Sequence, residues 1–231
     1  MRGVPHRLRA VGPRLTGVSR WATVDLAIPG VELPSPLLAL VQPLGTNAAE
    51  VDLTLPTMTP PGAYAGTVDI DGQALRLEIE VEPHTRLAAR PRSMALRLKP
   101  ATVANVEITV VNEGNVPGEI QGAYALDFVD DNTFDHGFDA AVRAELVEGQ
   151  RRVDVFFDAL AQGNGGTGRL EVEEGAGALA PGQVRGLRVR LSVPKEVRLA
   201  HTYTGIWHIE DAAISIHVEV VDGRSATEVS R

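Results

Sequence analysis

VANVEITVVNEGN, residues 103–115, is the stretch that decides the fold class. Val106, Ile108 and Val110 alternate with polar neighbours, so one face of an extended chain is apolar and the other is solvated. Residues 112–115 are Asn, Glu, Gly and Asn, which readily adopt turn conformations. The combination predicts a half-buried strand of a β-sandwich that ends in a turn.

Length and charge limit the classes of protein to consider. The chain has 231 residues, enough for one large or two small domains, and it carries a formal net charge of -8 with a pI near 5.3. This charge repels a phosphate backbone, so nucleic acid is not an expected partner. The absence of cysteine excludes disulfides, thiolate nucleophiles and cysteine-ligated zinc.

Hydropathy gives no sign of a membrane or secretory segment. No apolar run reaches the roughly 20 residues that a membrane span needs, so no span is predicted. The arginines near the N-terminus are not followed by a continuous apolar segment, because Pro5, Gly12 and Pro13 interrupt it. This pattern is not that of a signal peptide, and a cytoplasmic location is the default expectation.

Residues 1–20 form a basic segment, which we expect to be a separate N-terminal arm. It contains five arginines and His6, and no acidic residue precedes Asp25. One interpretation is a solvated tail or a first strand with its arginines in water. The other is an arm that docks on the acidic surface of a partner, such as a second copy of this chain. The candidate binding residues in the arm are Arg2, Arg7, Arg9 and Arg14.

A strand pattern that occurs twice predicts two domains. Asp71-Gly72 separates two alternating runs, which is a strong hairpin signal, and Tyr64 begins the first run. The same order of strand, proline, turn, Tyr-x-Gly and hairpin returns around Tyr203. Because the two tyrosines are equivalent, we expect each ring in a core with its hydroxyl on a backbone carbonyl. The expected domain bounds are residues 21–84 and 92–222, with a C-terminal tail at 223–231.

Several turn motifs resemble those of a bacterial domain family. A proline at residue 100 precedes the strand that ends at residues 112–115, residues 179–183 read Leu-Ala-Pro-Gly-Gln, and Tyr203-x-Gly205 closes the pattern. Together they look like the bacterial immunoglobulin-like modules of the NEW3 and CARDB kind, over residues 88–221 and more weakly over 20–83. The resemblance implies an all-β protein with two immunoglobulin-like β-sandwich domains in tandem, in an adhesive, spacer or assembly role without catalytic residues.

An aspartate-rich stretch in the middle of the chain is the best candidate for a metal site. Asp131, Thr133 and Asp135 have the alternate spacing of a calcium loop, whose hard oxygen ligands suit Ca²⁺. The pattern departs from an EF-hand at His136 and Val142, where glycine and glutamate are needed. We therefore favour a solvated acidic loop with inward phenylalanines over a bound cation. Paired carboxylates of a hydrolase are a further interpretation.

The function expected from the sequence is that of a non-catalytic structural or protein-interaction module in a larger assembly. Exposed sheet edges and the loops at 127–139 and 163–168 are the expected binding surfaces, for a protein partner or for self-assembly. The alternative is an accessory carbohydrate-binding module, in which Trp21 or Trp207 stacks on a polysaccharide. A hydrolase that uses the aspartate-rich loop is a less favoured alternative.

Overall fold

The computed structural model describes residues 1–12, 19–44, 48–70, 72–147 and 149–222. Arg14 and the tail at 223–231 lie outside the described residues. The chain divides into two compact units. Unit one comprises Met1–Arg86, Asn112–Gly118 and Ala180–Gln183, and unit two comprises Leu87–Val111, Glu119–Leu179 and Val184–Arg231.

Unit one contains a closed β-barrel. Its seven strands are β1 (Arg2–Val4), β2 (Arg7–Gly12), β3 (Arg20–Leu26), β4 (Leu37–Leu44), β5 (Ala48–Leu53), β6 (Gly62–Ile70) and β7 (Gln73–Val81). They pair in the order β1-β2-β5-β4-β3-β6-β7, and β1 also pairs in parallel with β7. The sheet expected as a sandwich over residues 21–84 is therefore a barrel, because its first strand closes against its last.

The barrel includes residues 2–12, which differs from the expectation of a separate arm at residues 1–20. β1 and β2 form a hairpin, and β2 pairs with β5 from Leu8 to Gly12. Leu8 is fully buried in the barrel core, whereas the neighbouring Arg9 side chain is half exposed. The interpretation as a first strand with its arginines in water fits the described part of this segment.

β6 and β7 form the hairpin predicted around Gly72. The pairing continues to Ile70, which lies opposite Gln73. Near the start of β6, Tyr64 packs against the barrel core, and its hydroxyl donates a hydrogen bond to the Pro60 carbonyl at 2.8 Å. The expected bond from this tyrosine to a backbone carbonyl is confirmed.

In the described part of unit two, ten strands and two helices follow. The strands are β8 (Leu87–Arg90), β9 (Ser93–Leu98), β10 (Val103–Asn112), β11 (Gly118–Ile120), β12 (Ala123–Asp130), β13 (Asn164–Glu174), β14 (Gly177–Leu179), β15 (Val184–Ser192), β16 (Thr202–Ile209) and β17 (Ala212–Val220). The helices are α1 (Thr133–Arg143) and α2 (Arg152–Gln162), which follow one another between β12 and β13. Within the described residues, neither helix is long and apolar enough to cross a membrane.

The strand order of unit two is that of an immunoglobulin domain. Eight strands form one sheet in the order β8-β10-β15-β13-β12-β16-β17-β9, and β11 pairs with β14. Buried side chains from all eight strands meet in one core, so the sheet folds onto itself as two layers. β8, β10, β15 and β13 correspond to the A-B-E-D layer, and β12, β16 and β17 to the C-F-G layer. Unit two is thus an immunoglobulin-like β-sandwich, whereas the barrel of unit one leaves the expectation of two such domains in tandem unconfirmed.

β10 is the strand predicted from residues 103–115. Its alternate residues are buried in the sandwich core. The side chain of Asn112 then builds the turn, since its Oδ1 accepts from the N–H of Gly114 and its Nδ2 donates to the Val116 carbonyl, both at 2.8 Å. Both the strand and the turn are confirmed.

Tyr203 occupies the start of β16 with its ring buried in the core. Its hydroxyl accepts a hydrogen bond from the N–H of Arg198 at 3.1 Å. This arrangement corresponds to the tyrosine corner of immunoglobulin-like sandwiches. The expected ring position is confirmed, but the hydroxyl contacts a backbone N–H rather than a carbonyl.

The two stretches expected as binding loops are largely regular structure. Residues 133–139 belong to α1, and residues 164–168 are the first part of β13. The glycines of the second stretch allow close packing, because a Cβ at Gly165 would lie 2.6 Å from the Tyr203 ring and one at Gly168 would lie 2.6 Å from the Phe128 ring. These glycines reflect close approach in a sheet rather than a flexible connection.

Candidate functional site

The two helices pack against each other as a helical hairpin, residues 133–162. Thr133, Gly137 and Ala141, spaced by four residues, are the buried residues of α1. Gly137 brings the helices close together, because a Cβ at this position would lie 3.0 Å from the Phe156 ring of α2. The side of α1 that faces α2 is therefore lined by small residues.

Arginine side chains stabilise the ends of both helices. Arg152 donates from Nη1 to the carbonyls of Ala141 and Val142, at 2.5 and 2.7 Å, and so satisfies free carbonyls at the end of α1. At the start of α2, the Arg151 guanidinium pairs with Asp154, and this hydrogen bond lowers the pKa of the Asp154 carboxyl. The hairpin is thus held by polar contacts at its termini as well as by packing.

The outer surface of the hairpin carries large apolar side chains. Of the three phenylalanines in residues 127–139 that were expected to point inward, Phe128 is fully buried in the sandwich core, whereas Phe134 and Phe138 are exposed. Phe134, Phe138 and Val142 form a stripe along α1, with exposed fractions of 64%, 60% and 69%. Phe157 on α2 is 61% exposed, and no residue of α2, all of which is described, is buried. The Phe156 ring connects these groups, since its centroid lies 5.8 Å from Phe134, 5.1 Å from Phe138 and 5.6 Å from Phe157. We call these four phenylalanines and Val142 the aromatic face.

A groove of about 720 Å³ lies beside the aromatic face. Its lining includes Val129 of β12 and Ile206 of β16, which are half exposed, and Phe134 and Leu160 of the helices. Because Phe134 lines the groove and also begins the stripe on α1, the groove and the aromatic face form one continuous apolar surface. Contiguous exposed apolar surface of this kind is typical of interaction sites.

Three carboxylates line the same groove, and each accepts hydrogen bonds from neighbouring residues. Thr167 Oγ1 donates to Asp127, and Thr204 Oγ1 donates to Asp131, both at 2.6 Å. Asp130 is 4% exposed and contacts the His201 ring. These bonds fix the carboxylates in place along the apolar surface.

The structure does not give the calcium-loop geometry expected for Asp131, Thr133 and Asp135. The helix begins at Thr133, so Asp135 lies in its first turn while Asp131 precedes it and is bonded to Thr204. The Thr133 hydroxyl is buried and has no hydrogen-bond partner among the described residues. Within those residues, no group of three His, Cys, Asp or Glu side chains is arranged to hold a metal ion.

The two tryptophans have opposite environments. Trp207 is 1% exposed in the sandwich core, where its ring lies 5.4 Å from that of Tyr124, so the expectation that it contacts a carbohydrate is wrong. The alternation of side chains along β16 places Trp207 in the core, because Trp207 lies on the same face of the strand as the buried Tyr203. Trp21 of β3 is 65% exposed and lies opposite Leu40 in the barrel.

The basic candidates of unit one are engaged with its own carboxylates. Arg2 Nε lies 2.5 Å from Glu82, and this bond raises the pKa of Arg2. Arg9 Nε lies 2.9 Å from Asp52. The side chain of Arg7 and the whole of Arg14 lie outside the described structure.

The helical hairpin is the part of the candidate site that sequence reasoning missed. The spacing of Phe134, Phe138 and Val142 at four-residue intervals is a helical signal. It was obscured because Gly137 and the two interspersed aspartates, Asp135 and Asp139, are poor helix formers. The expectation that these phenylalanines fill a core then followed from treating the stretch as a loop.

Comparisons with solved structures give only low similarity. A protein of unknown function from Porphyromonas gingivalis is 12% identical, with 94% of this chain and 97% of that one covered and a TM-score of 0.25. A structure of Dpr11 bound to DIP-gamma is 9% identical, with 96% and 94% covered and a TM-score of 0.31. Domains 4 and 5 of the S-layer protein SbsC are 10% identical, with 89% and 100% covered and a TM-score of 0.28. We draw no inference about function from scores of this size.

No protein-family model and no curated protein matches the chain. The resemblance to NEW3 and CARDB modules therefore stays a prediction. The assignment of unit two as an immunoglobulin-like β-sandwich rests on its own strand order and on the tyrosine corner at Tyr203.

Proposed function

We propose that the protein is a non-catalytic interaction module of a larger assembly, and that it binds a protein partner through the aromatic face and the adjoining groove of unit two. The observation that carries the proposal is the exposure of three phenylalanine rings on one small helical hairpin. Aromatic side chains are enriched at protein interfaces and dominate their binding energy.

The packing of α1 against α2 does not require the phenylalanine rings to be exposed to solvent. α1 directs Gly137 and Ala141 toward α2, and its large apolar side chains toward solvent. Leaving such side chains in water forgoes about 1.5–3 kcal/mol of transfer free energy for each one. A partner that covers the aromatic face would recover this free energy.

Sheet edges are less suitable as binding surfaces than the sequence suggested. Pairing of β1 with β7 closes the barrel of unit one. The strands at the two ends of the large sheet in unit two, β8 and β9, are only four and six residues long. Short edge strands offer few unpaired backbone groups to a partner, so we assign binding to the hairpin instead.

Affinity capture from lysate of the source organism, with tagged full-length variants, tests the proposal. Phe134→Ser combined with Phe138→Ser removes two rings of the aromatic face. Val184→Ser is the matched control, because Val184 is 62% exposed on β15, away from the helices. We expect a stoichiometric partner with the wild type and the control, and its loss with the double variant. Equal capture by all three proteins would refute the assignment of the hairpin.

A carbohydrate-binding role is a second candidate, now supported by Trp21 alone. Trp21 is exposed on β3, and the half-exposed Leu38 lies on the neighbouring strand β4. An exposed indole on a sheet can stack on a sugar ring. Retention of the protein on insoluble polysaccharide, with loss of retention in Trp21→Ala, would support this role. Retention that does not change with Trp21→Ala would exclude the indole as the site.

The carboxylates in the groove are the one observation that favours a hydrolase. Asp127 and Asp131 line a concave surface, as paired catalytic carboxylates do. The double variant Asp127→Asn with Asp131→Asn distinguishes a hydrolase from a protein-binding module. Capture of a partner that is lost with the phenylalanine variant and at most weakened by this double variant would support binding through the aromatic face. A cytoplasmic location stays a prediction from the sequence.

A further inference from the structure

We infer that the partner presents a cationic amphipathic helix, whose apolar side lies on the aromatic face and whose basic side chains meet the surrounding carboxylates. This identifies the chemistry of the partner and rests on the proposed function.

The shape of the aromatic face fits a helix. Phe134, Phe138 and Val142 follow one another at intervals of four residues, so they form a ridge that rises about 12 Å along α1 and is inclined to the helix axis. The groove lined by Val129 and Ile206 adjoins the Phe134 end of this ridge. Amphipathic helices dock on such surfaces through apolar residues at positions i, i+3, i+4 and i+7, which present a matching stripe.

The charge around the aromatic face is negative. Residues 130–162 contain eight acidic and three basic residues. Arg143 pairs with Asp139, Arg151 pairs with Asp154, and Arg152 contacts carbonyls of α1, so the three bases are already engaged.

Three carboxylates near the stripe keep an uncompensated charge. In the described residues, Asp127, Asp131 and Asp135 form no ion pair with a basic side chain. Asp127 and Asp131 line the groove, and Asp135 follows Phe134 on α1. Charge complementarity therefore favours a partner that carries lysine or arginine beside its apolar stripe.

The same charges disfavour a second copy of this chain as the occupant. A symmetric contact would place the aromatic face of one copy against that of the other. The carboxylates beside the two stripes would then face each other, and like charges across an interface are unfavourable.

Defined peptide probes test the chemistry of the partner. The first probe is a fluorescein-labelled leucine–lysine peptide with leucine at helical spacing, measured against the full chain by fluorescence anisotropy at low salt. The second has the same composition in shuffled order, and the third has glutamate in place of lysine. We expect the first probe to bind at least tenfold more tightly than the others, and to weaken as salt is added. Equal binding of the lysine and glutamate probes, or no binding of the first, would overturn the inference.

Variants of the protein locate the bound probe. Phe134→Ser with Phe138→Ser is expected to weaken binding of the leucine–lysine probe at least tenfold, whereas Val184→Ser is expected to leave it unchanged. The double variant Asp131→Asn with Asp135→Asn is expected to weaken binding of the probe several-fold and to reduce the salt dependence of binding. The control is Glu107→Gln with Glu119→Gln, which removes two exposed carboxylates elsewhere in unit two and is expected to have neither effect. If the affinity for the probe is unchanged in the phenylalanine variant or in the aspartate variant, the probe binds elsewhere on the protein.

The two proposals fail in different ways. If the captured native partner depends on Phe134 and Phe138 but the leucine–lysine probe does not bind, the partner has other chemistry and the proposed function stands. If neither depends on these rings, both proposals are wrong. Sedimentation that shows a dimer of the wild type, abolished by the phenylalanine variant, would identify a second copy as the occupant and would also overturn the inference.

Discussion

His201 Nδ1 lies 2.5 Å from the Oδ2 atom of Asp130, and the same carboxylate accepts a hydrogen bond from the N–H of Asn132 through its Oδ1 at 2.9 Å. Asp130 is 4% exposed at the end of β12. One buried carboxylate thus links the histidine that precedes β16 to the chain that enters α1. This link connects the helical hairpin to the sandwich that carries it.

Loss of the Asp130 carboxylate is expected to destabilise unit two. Asp130→Ala should lower the free energy of unfolding by about 2 kcal/mol, because it leaves a half-buried histidine and a backbone N–H without their acceptor. Asp127→Ala is the control and should cost less than about 1 kcal/mol, since Asp127 is exposed. Urea unfolding, followed by Trp207 fluorescence in a Trp21→Phe background, reports on unit two. Equal losses in both variants would contradict the role given to Asp130.

Because Gly168 is closely packed, the addition of a single methyl group at this position is expected to lower the stability of unit two substantially. A Cβ at Gly168 would lie 2.5 Å from the Ser192 carbonyl and 2.6 Å from the Phe128 ring. Gly168→Ala should therefore cost about 2 kcal/mol or more. Gly186→Ala is the matched control on β15, where a Cβ would meet nothing within 4 Å, and it should be neutral or slightly stabilising. The same urea experiment measures both variants, and equal stability of the two would contradict the close packing at Gly168.

Tyr64 and Tyr203, which stand at matching positions of the repeated sequence pattern, should respond differently to loss of their hydroxyls. Tyr203→Phe leaves the N–H of Arg198 without its partner in a partly buried setting, and should cost about 1 kcal/mol. Tyr64→Phe breaks an exposed bond to Pro60 and should cost less than about 0.5 kcal/mol. Thermal unfolding of the two variants compares them directly. A negligible loss for Tyr203→Phe would mean that the tyrosine corner in unit two is not a stabilising contact.

The ionised Glu171 side chain should stabilise unit two, and this stabilisation should be lost at acid pH. Glu171 of β13 lies opposite Arg190 of β15. The hydrogen bond from Arg190 and the charge of Arg169 lower the pKa of the Glu171 carboxyl. Because the folded-state pKa is the lower one, the contribution is complete above the usual glutamate pKa of about 4.3 and is lost as the pH falls through the lowered value.

An NMR titration of the Glu171 side-chain carboxyl carbon measures this pKa. Arg190→Met is expected to move it back toward the usual value, because the hydrogen bond from Arg190 that lowers it is removed. A pKa of Glu171 that does not change in Arg190→Met would show that the pair is not formed in solution.

Local sequence determined the strands and turns of this protein. Alternation with a period of two specifies an apolar face without reference to any distant residue, as in β10, and the Asn112 side chain builds its turn from neighbours within four residues. The same alternation assigns Trp207 to the core together with Tyr203, so the sequence already argued against Trp207 as a binding residue.

Tertiary structure alone decided the closure of the barrel and the exposure of the aromatic face. Pairing of Arg2 with Glu80 joins strands far apart in the chain, and alternation says nothing about which strands become neighbours. On α1, a helical stripe of phenylalanines is typical of a core-facing side. Its exposure follows because α2 packs closely along the adjacent small side chains of Gly137 and Ala141 and only its Phe156 ring touches the stripe, which leaves much of Phe134 and Phe138 in solvent.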